Sequence, residues 1–205
     1  MASNLFIVAY YATKMSSVAS FLARPVSLEF TLMNTTYTPT AKTLHWLMAV
    51  LIIGLLALGI VMTELPLSPE KLTLYSWHKW AGVTVFALVW ARLAWRITHR
   101  PPPLSERLSN RMQWIAHAGH AALYGLMIII PVTGWLMSSA KGFQTVWFGL
   151  IPIPDLIGRD KDLGDLLQQA HKLLNVTLML LLAGHIAAAL WHHFILRDDT
   201  LRRMR

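Results

Sequence analysis

The chain has 205 residues, of which 55% are hydrophobic and only 14% are charged. Because a soluble domain carries about a quarter of charged residues, this composition indicates an integral membrane protein. The absence of cysteine excludes disulfides, iron–sulfur clusters and thiolate chemistry within this chain. The net charge of +8 would suit a nucleic-acid partner, but the basic residues lie beside apolar runs. Membrane orientation therefore explains the charge, and no nucleic-acid partner is expected.

Residues 1–36 precede the first long apolar run. They contain "NLFIVAYYA", which is too short to cross a bilayer, and no clean signal peptide. Met33 is followed by the polar lead "NTTYTPTAKTLHW". We interpret residues 1–36 as an N-terminal extension with two alternatives. Either translation starts at Met33, or the extension is disordered or lies on the membrane surface.

Four apolar runs of about twenty residues each predict four transmembrane helices. The third run contains Pro131 and Gly134, which are tolerated in lipid because neighbouring helices satisfy the freed backbone groups. The predicted fold class is therefore an all-α membrane protein, with residues 37–205 forming a four-helix transmembrane bundle. The spans are predicted at about 44–63, 80–97, 115–138 and 173–196.

The charges between the spans predict the orientation of the chain. The link between the second and third spans and the C-terminal tail are rich in arginine, whereas the other two links carry mixed charge. The positive-inside rule places both termini in the cytoplasm and the mixed links outside. The longest link, residues 139–167, contains "GLIPIPDLIG" and is predicted to form a turn-rich cap on the outer surface.

Eight of the nine histidines lie in the spans or near their ends. A single imidazole at a membrane edge usually bonds a carbonyl or a lipid headgroup, but ionisable residues inside spans are costly and usually functional. His171 and His185 lie about 21 Å apart along one helix and on nearly the same face. Because alternate spans run in opposite directions, His78 matches His171 near the outer side. His45 matches His185 near the inner side.

Two facing imidazoles supply both axial ligands of a six-coordinate haem iron. Two such pairs at two depths predict two haems, one above the other in the membrane. A zinc site would need about four ligands at one point. A proton relay would usually include Asp or Glu inside the spans, and the four runs contain neither. Arg92 and Arg96, late in the second span, could pair with the carboxylates of the inner haem, although Arg96 could equally extend to the lipid interface.

The motifs around these histidines resemble those of bacterial cytochrome b561. The resemblance extends from about Tyr37 to Met204 and rests on "TLHWLMA", "WHKWAGV", "AHAGHAALYGLMIIIPVTGWLMS" and "GHIAAALWHHFILRDDTLRRM". It implies a four-helix membrane protein with two b haems that exchanges electrons with quinone. One class of members takes electrons from superoxide and passes them to ubiquinone. At the matching positions the family's haem ligands are His45, His78, His171 and His185.

The resemblance implies an oxidoreductase or electron carrier of the bacterial inner membrane, with two haem b and with ubiquinone as acceptor. Its electron donor on the outer side would be superoxide or a periplasmic protein. His117 and His192 could line a quinone pocket on the cytoplasmic side, since quinone reduction consumes protons. His120 could instead bond a haem propionate.

Two other functions stay open. The chain could be the cytochrome b anchor subunit of a larger membrane oxidoreductase, or a haem-free transporter or structural membrane protein. The N-terminal extension and the long outer link depart from the family pattern. The link leaves the outer donor open because it would cover the outer haem.

Overall fold

The computed structural model describes residues 36–104 and 108–205, so the predicted N-terminal extension lies outside the described residues except for Thr36. The described chain contains four long helices and one short antiparallel hairpin. The helices are α1 (Pro39–Glu64), α2 (Pro69–Thr98), α3 (Asn110–Ala140) and α4 (Lys161–Trp191). The hairpin strands are β1 (Val146–Trp147) and β2 (Ile151–Pro152). A π-helical turn (His192–Leu196) and a 3-10 turn (Arg202–Met204) follow α4.

All four helices are long and apolar enough to cross a membrane. At 1.5 Å per residue their 26 to 31 residues extend over about 39–47 Å, which exceeds a hydrocarbon core of about 30 Å. They are therefore longer than the predicted spans. α2 begins at Pro69 and α4 at Lys161, whereas the predicted spans begin at about residues 80 and 173. The spans begin later because hydropathy detects only the apolar part of a helix and not its polar first turns.

Side-chain caps determine where the helices begin. In each helix a hydroxyl or carboxylate oxygen accepts a hydrogen bond from the backbone N–H three residues later. Proline follows the cap of α1 and of α2, where its fixed φ suits the first helical position. The capping residues are Thr38, Ser68, Ser109 and Asp160.

The buried core is small and lies where α1, α3 and α4 meet. Leu126, Ile130 and Leu178 form it, with partly buried leucines and an isoleucine around them. Many large apolar side chains on the outside of the helices are exposed, for example Val50 at 69% and Leu180 at 70%. An apolar surface of this extent would be unfavourable in water. In a multi-pass membrane protein such a surface contacts lipid.

The hairpin lies against α2 at one end of the bundle, called here the hairpin end. The indole nitrogen of Trp80 donates to Val146 O at 2.6 Å, and that of Trp147 donates to Trp80 O at 3.2 Å. Phe148 and Gly149 form the turn with φ of 50° and 71°. Positive φ at both central residues suits the twist of a two-stranded hairpin. The predicted turn-rich cap thus contains a hairpin fixed to α2.

The last nine residues, 197–205, form a C-terminal tail that crosses the opposite end of the bundle, called here the tail end. Its carbonyls accept from Tyr37 N at 3.2 Å, from the Trp46 indole at 2.8 Å and from Lys42 Nζ at 2.6 Å. Arg203 donates to Pro103 O at 2.7 Å. The tail therefore joins the beginning of α1 to the link between α2 and α3.

Candidate functional site

His78 on α2 and His171 on α4 face each other at the hairpin end, with ring centroids 6.4 Å apart. Nδ1 of His171 lies 3.1 Å from Ile130 O and 3.1 Å from Thr133 Oγ1. A carbonyl oxygen only accepts hydrogen bonds, so Nδ1 carries the hydrogen of this ring. Nε2 then keeps its lone pair, and this is the arrangement in which histidine binds a metal.

Two glycines let neighbouring helices approach this pair closely. A Cβ at Gly134 would lie 3.1 Å from Cε1 of His171, and one at Gly59 would lie 3.5 Å from Cε1 of His78. A methyl group on α3 at Gly134 would therefore crowd the His171 ring, whereas one on α1 at Gly59 would meet the His78 ring at ordinary contact distance. Within the described residues, Nδ1 of His78 is buried without a hydrogen-bond partner, and such a group costs roughly 1–3 kcal/mol.

Three imidazoles meet near the tail end of the bundle. The ring centroids of His45 on α1 and His185 on α4 are 6.2 Å apart. His120 on α3 lies with its ring centroid 5.6 Å from that of His185. The four histidines selected from their depth thus form two pairs on α1, α2 and α4, and His120 joins the pair nearer the tail.

The separations of the two pairs suit an iron atom between the rings. A metal–imidazole bond is about 2 Å and a ring centroid lies about 1.2 Å behind its nitrogen, so bis-imidazole ligation sets the centroids about 6.4 Å apart. Two rings joined by a direct hydrogen bond of about 2.9 Å would be only about 5.3 Å apart. The observed 6.4 and 6.2 Å fit ligation. The 5.6 Å between His120 and His185 fits it less well.

Arginine side chains approach the pair near the tail end from α2. Arg92 Nε donates to Tyr124 Oη at 2.9 Å, and its NH1 group donates to Ala41 O at 3.3 Å. The guanidinium of Arg96 lies 6.0 Å from the centroid of the Tyr124 ring. In the part of the chain that the structure describes, these two bonds use two of the five N–H donors of Arg92, which leaves three for a carboxylate. Tyr124 was not predicted, although its position one helical turn after His120 places both on the same face of α3.

His192 lies at the end of α4, one heptad after His185. Seven residues correspond to about 10 Å and return to nearly the same face of the helix. Its Nδ1 lies 2.5 Å from Asp198 Oδ2. Burial acts to raise the pKa of Asp198, but hydrogen bonds from His192 and Thr200 outweigh it and hold that pKa below its ordinary value. The carboxylate is therefore ionised at neutral pH.

The structure does not bring His117 into this group. Its side chain is exposed, and within residues 36–104 and 108–205 no hydrogen bond or ring contact joins it to His120 or His192. Besides Tyr124, the sequence analysis did not identify Thr133, Gly134 and Asp198 as contacting residues. Only the "RDDT" motif carried a signal for Asp198.

Comparison with known proteins shows the family. The sequence model described as prokaryotic cytochrome b561 matches residues 36–205. The chain belongs to the prokaryotic cytochrome b561 family. It is thus a multi-pass bacterial membrane protein of electron transfer that binds b haem, and the predicted family and four-helix fold are confirmed.

Individual relatives agree with this membership. Cytochrome b561 homolog 2 of Escherichia coli K12 is 32% identical over 184 residues, which cover 86% of this chain and 95% of that protein. The probable superoxide oxidase CybB of Yersinia pestis is 32% identical over 127 residues, covering 62% and 72%. Cytochrome b561 homolog 1 of E. coli K12 is 27% identical over 182 residues, covering 82% and 96%.

Proposed function

We propose that the protein is a di-haem b oxidoreductase that carries electrons through the membrane, from a donor at the hairpin end to quinone at the tail end. The observation that carries the proposal is the presence of two histidine pairs with centroid separations of 6.4 and 6.2 Å. The pairs lie about 21 Å apart along α4. A protein with a single haem would need only one such pair.

His78 and His171 are proposed to ligate the haem at the hairpin end, and His45 and His185 the haem nearer the tail end. Bound haem supplies one-electron chemistry, while the protein determines ligation, burial and hydrogen bonding. The contacts of His171 Nδ1 with Ile130 O and Thr133 Oγ1 hold that ring and leave Nε2 with its lone pair for ligation.

Arg92, Arg96 and His120 are proposed to bind the propionates of the haem nearer the tail end. Guanidinium groups bind carboxylates with charge-assisted hydrogen bonds. Tyr124 positions both arginines, one through its hydroxyl and the other through its ring. His120 is close enough to His185 to reach the edge of the same haem.

Quinone is proposed to bind beside His192 at the tail end, with His117 as a second candidate contact. Reduction of a quinone adds two electrons and two protons. Imidazole is the side chain best suited to transfer protons near neutral pH, and His192 lies about 10 Å beyond His185 on the same helix face. Ubiquinone is the proposed acceptor.

The basic tail, with arginines at 197, 202, 203 and 205, supports a position of the tail end on the cytoplasmic side of a bacterial inner membrane. The hairpin end then faces outward. Superoxide is the proposed donor, supported by similarity to a relative named a probable superoxide oxidase. A periplasmic protein is the alternative donor.

Stopped-flow reduction of the oxidised protein by superoxide, with and without a short-chain quinone, tests this function. We expect reduced-haem absorption bands to appear at once and to decay when quinone is present. A protein that superoxide leaves oxidised, yet that copurifies with a soluble oxidoreductase subunit, would show the anchor-subunit function instead. A purified protein without haem absorption would contradict the proposal entirely.

A further inference from the structure

The chain reverses direction immediately after α4 and returns a carboxylate to the last imidazole of the helix. Arg197 adopts a left-handed conformation with φ of 51°, which costs a residue with a side chain roughly 1–2 kcal/mol. The backbone N–H groups of Arg197 and Asp198 both donate to His192 O. This reversal places Asp198 Oδ2 at 2.5 Å from Nδ1 of His192.

Both oxygens of this carboxylate have partners. Oδ1 accepts from Thr200 N at 2.9 Å, while Oδ2 faces the ring. The side chains of His192 and Asp198 are 18% and 12% exposed. The adjacent Asp199 differs, since its carboxylate pairs with Arg202 at 2.8 Å and is 61% exposed. The fold therefore selects one of two neighbouring aspartates for the histidine.

An ionised carboxylate only accepts hydrogen bonds, so Nδ1 of His192 carries a hydrogen and Nε2 is the nitrogen left for another partner. In water the neutral ring favours the opposite tautomer, with its hydrogen on Nε2. We propose that Asp198 is a positioning residue that holds the His192 ring with Nδ1–H toward the tail and Nε2 toward the quinone oxygen. This inference rests on the proposed quinone site.

The proton transfer can be written with every bond and proton accounted for. The N–H bond at Nε2 of protonated His192 breaks as an O–H bond forms on the quinone oxygen that has received electrons from the haem. The ring is then neutral and keeps Nδ1–H bonded to Asp198, which stays ionised. Water at the tail end supplies the second proton and the proton that reloads Nε2.

Other contacts of the C-terminal tail should keep it on the bundle when Asp198 is substituted. Tyr37, Lys42 and Trp46 bind backbone carbonyls of residues 203–205, not the Asp198 side chain. A loss of function in an Asp198 variant that keeps both haems can therefore be attributed to the imidazole. Asp199→Ala is the matched control.

The experiment compares Asp198→Ala, Asp198→Asn, Asp199→Ala and His192→Phe in the full-length, haem-loaded protein. Haem reoxidation is measured against the concentration of a short-chain quinone. In Asp198→Ala we expect the maximal rate to fall about 10–100-fold, as for loss of an orienting partner, with little change in the half-saturating quinone concentration. Asn keeps an oxygen that accepts from Nδ1–H and should retain more of the rate. Asp199→Ala should match the unaltered protein.

A second readout needs no turnover. Nitrogen-15 spectra of histidine-labelled oxidised protein without quinone report which ring nitrogen carries hydrogen, and His192→Phe identifies the signal. We expect Nδ1–H in the unaltered protein and in Asp198→Asn, and Nε2–H in Asp198→Ala. A neutral ring with its single hydrogen on Nε2 in the unaltered protein would overturn the inference.

The kinetic outcomes separate this inference from the proposed function. If His192→Phe slows reoxidation and Asp198→Ala does not, Asp198 has no positioning role and the quinone site stands. If His192→Phe leaves the rate unchanged, the quinone site is elsewhere and the role of Asp198 is lost with it.

Discussion

The two histidine pairs of this protein have similar separations but different surroundings. At the hairpin end, the His171 ring is bonded through Nδ1 to Ile130 O and Thr133 and packed against Gly134. At the tail end, His185 instead faces a third imidazole, and Arg92 lies close by. Among the described residues no hydrogen bond to a ring nitrogen of His45 or His185 is found.

In the proposed di-haem arrangement, this difference corresponds to two ways of preparing a haem site. At the hairpin end, the contacts of Nδ1 with Ile130 O and Thr133 Oγ1 hold the His171 ring before any haem binds. Near the tail end, Arg92 is the proposed partner of the haem carboxylates, so the haem itself would complete that site.

The largest expected effect is the loss of one haem when one ligand is removed. His171→Ala should eliminate the haem at the hairpin end and leave the other, and His185→Ala should do the reverse, because each haem loses one of its two axial bonds. Haem content per chain and the low-spin absorption bands are the measurements. His193→Ala is the control, because His193 is not a proposed haem ligand, and this variant should keep both haems. Two full haem equivalents in either ligand variant would disprove the pairing.

The next effect separates electron entry from quinone reduction. In His192→Phe both haems should be retained and still be reduced from the hairpin end, because the ring ligates no iron in this account. Reoxidation by a short-chain quinone should slow by about 10²–10⁴-fold, the contribution of an acid–base group. His117→Phe tests the second candidate contact in the same assay. Unchanged rates in both variants would contradict a quinone site at the tail end.

The tight packing at the hairpin end can be tested with one methyl group. The Cβ of Gly134→Ala would lie 3.1 Å from Cε1 of His171, closer than ordinary contact, whereas that of Gly59→Ala would lie 3.5 Å from Cε1 of His78. We expect Gly134→Ala to cost about 1–3 kcal/mol, as overpacking does, and Gly59→Ala to cost less. Haem loss during a thermal ramp measures the difference. Equal stability of the two variants would show that packing does not orient the His171 ring.

The smallest expected effect concerns pH and the tail. The pKa of Asp198 is lowered from its ordinary value of 3.8, so its carboxylate stabilises the folded tail fully above that value. The stabilisation is lost as pH falls through the lower pKa of the folded state. Protease digestion of the tail should therefore accelerate in acid in the unaltered protein. In Asp198→Asn this acid dependence should be weaker, and an identical dependence would contradict the assignment.

The sequence was sufficient to predict the four spans and the levels of the four histidines, because hydropathy and helical spacing are local properties. It was insufficient for the helix beginnings at Pro69 and Lys161, which lie in polar segments outside the apolar runs. Contacts between distant residues were also missed. Tyr124 meets Arg92 across 32 positions, and Gly134 meets His171 across 37, and only the packing of whole helices determines which residues meet.

The return of Asp198 to His192 was missed for a different reason. The two residues are only six positions apart, but an uninterrupted helix would have carried the carboxylate away from the ring. The π-helical turn and the left-handed Arg197 reverse the chain instead. Arginine is an uncommon residue in that conformation, so composition gave no indication of the turn.

One measurement tests most directly whether electrons pass from the hairpin end to the tail end. His185→Ala, with only the haem at the hairpin end, is mixed with superoxide and then with a short-chain quinone, while haem absorption is followed by stopped flow. We predict rapid reduction of the remaining haem and no rapid reoxidation by quinone, since the haem beside the quinone site is missing. Reoxidation at the rate of the unaltered protein would contradict the end-to-end path and place quinone beside His78 and His171.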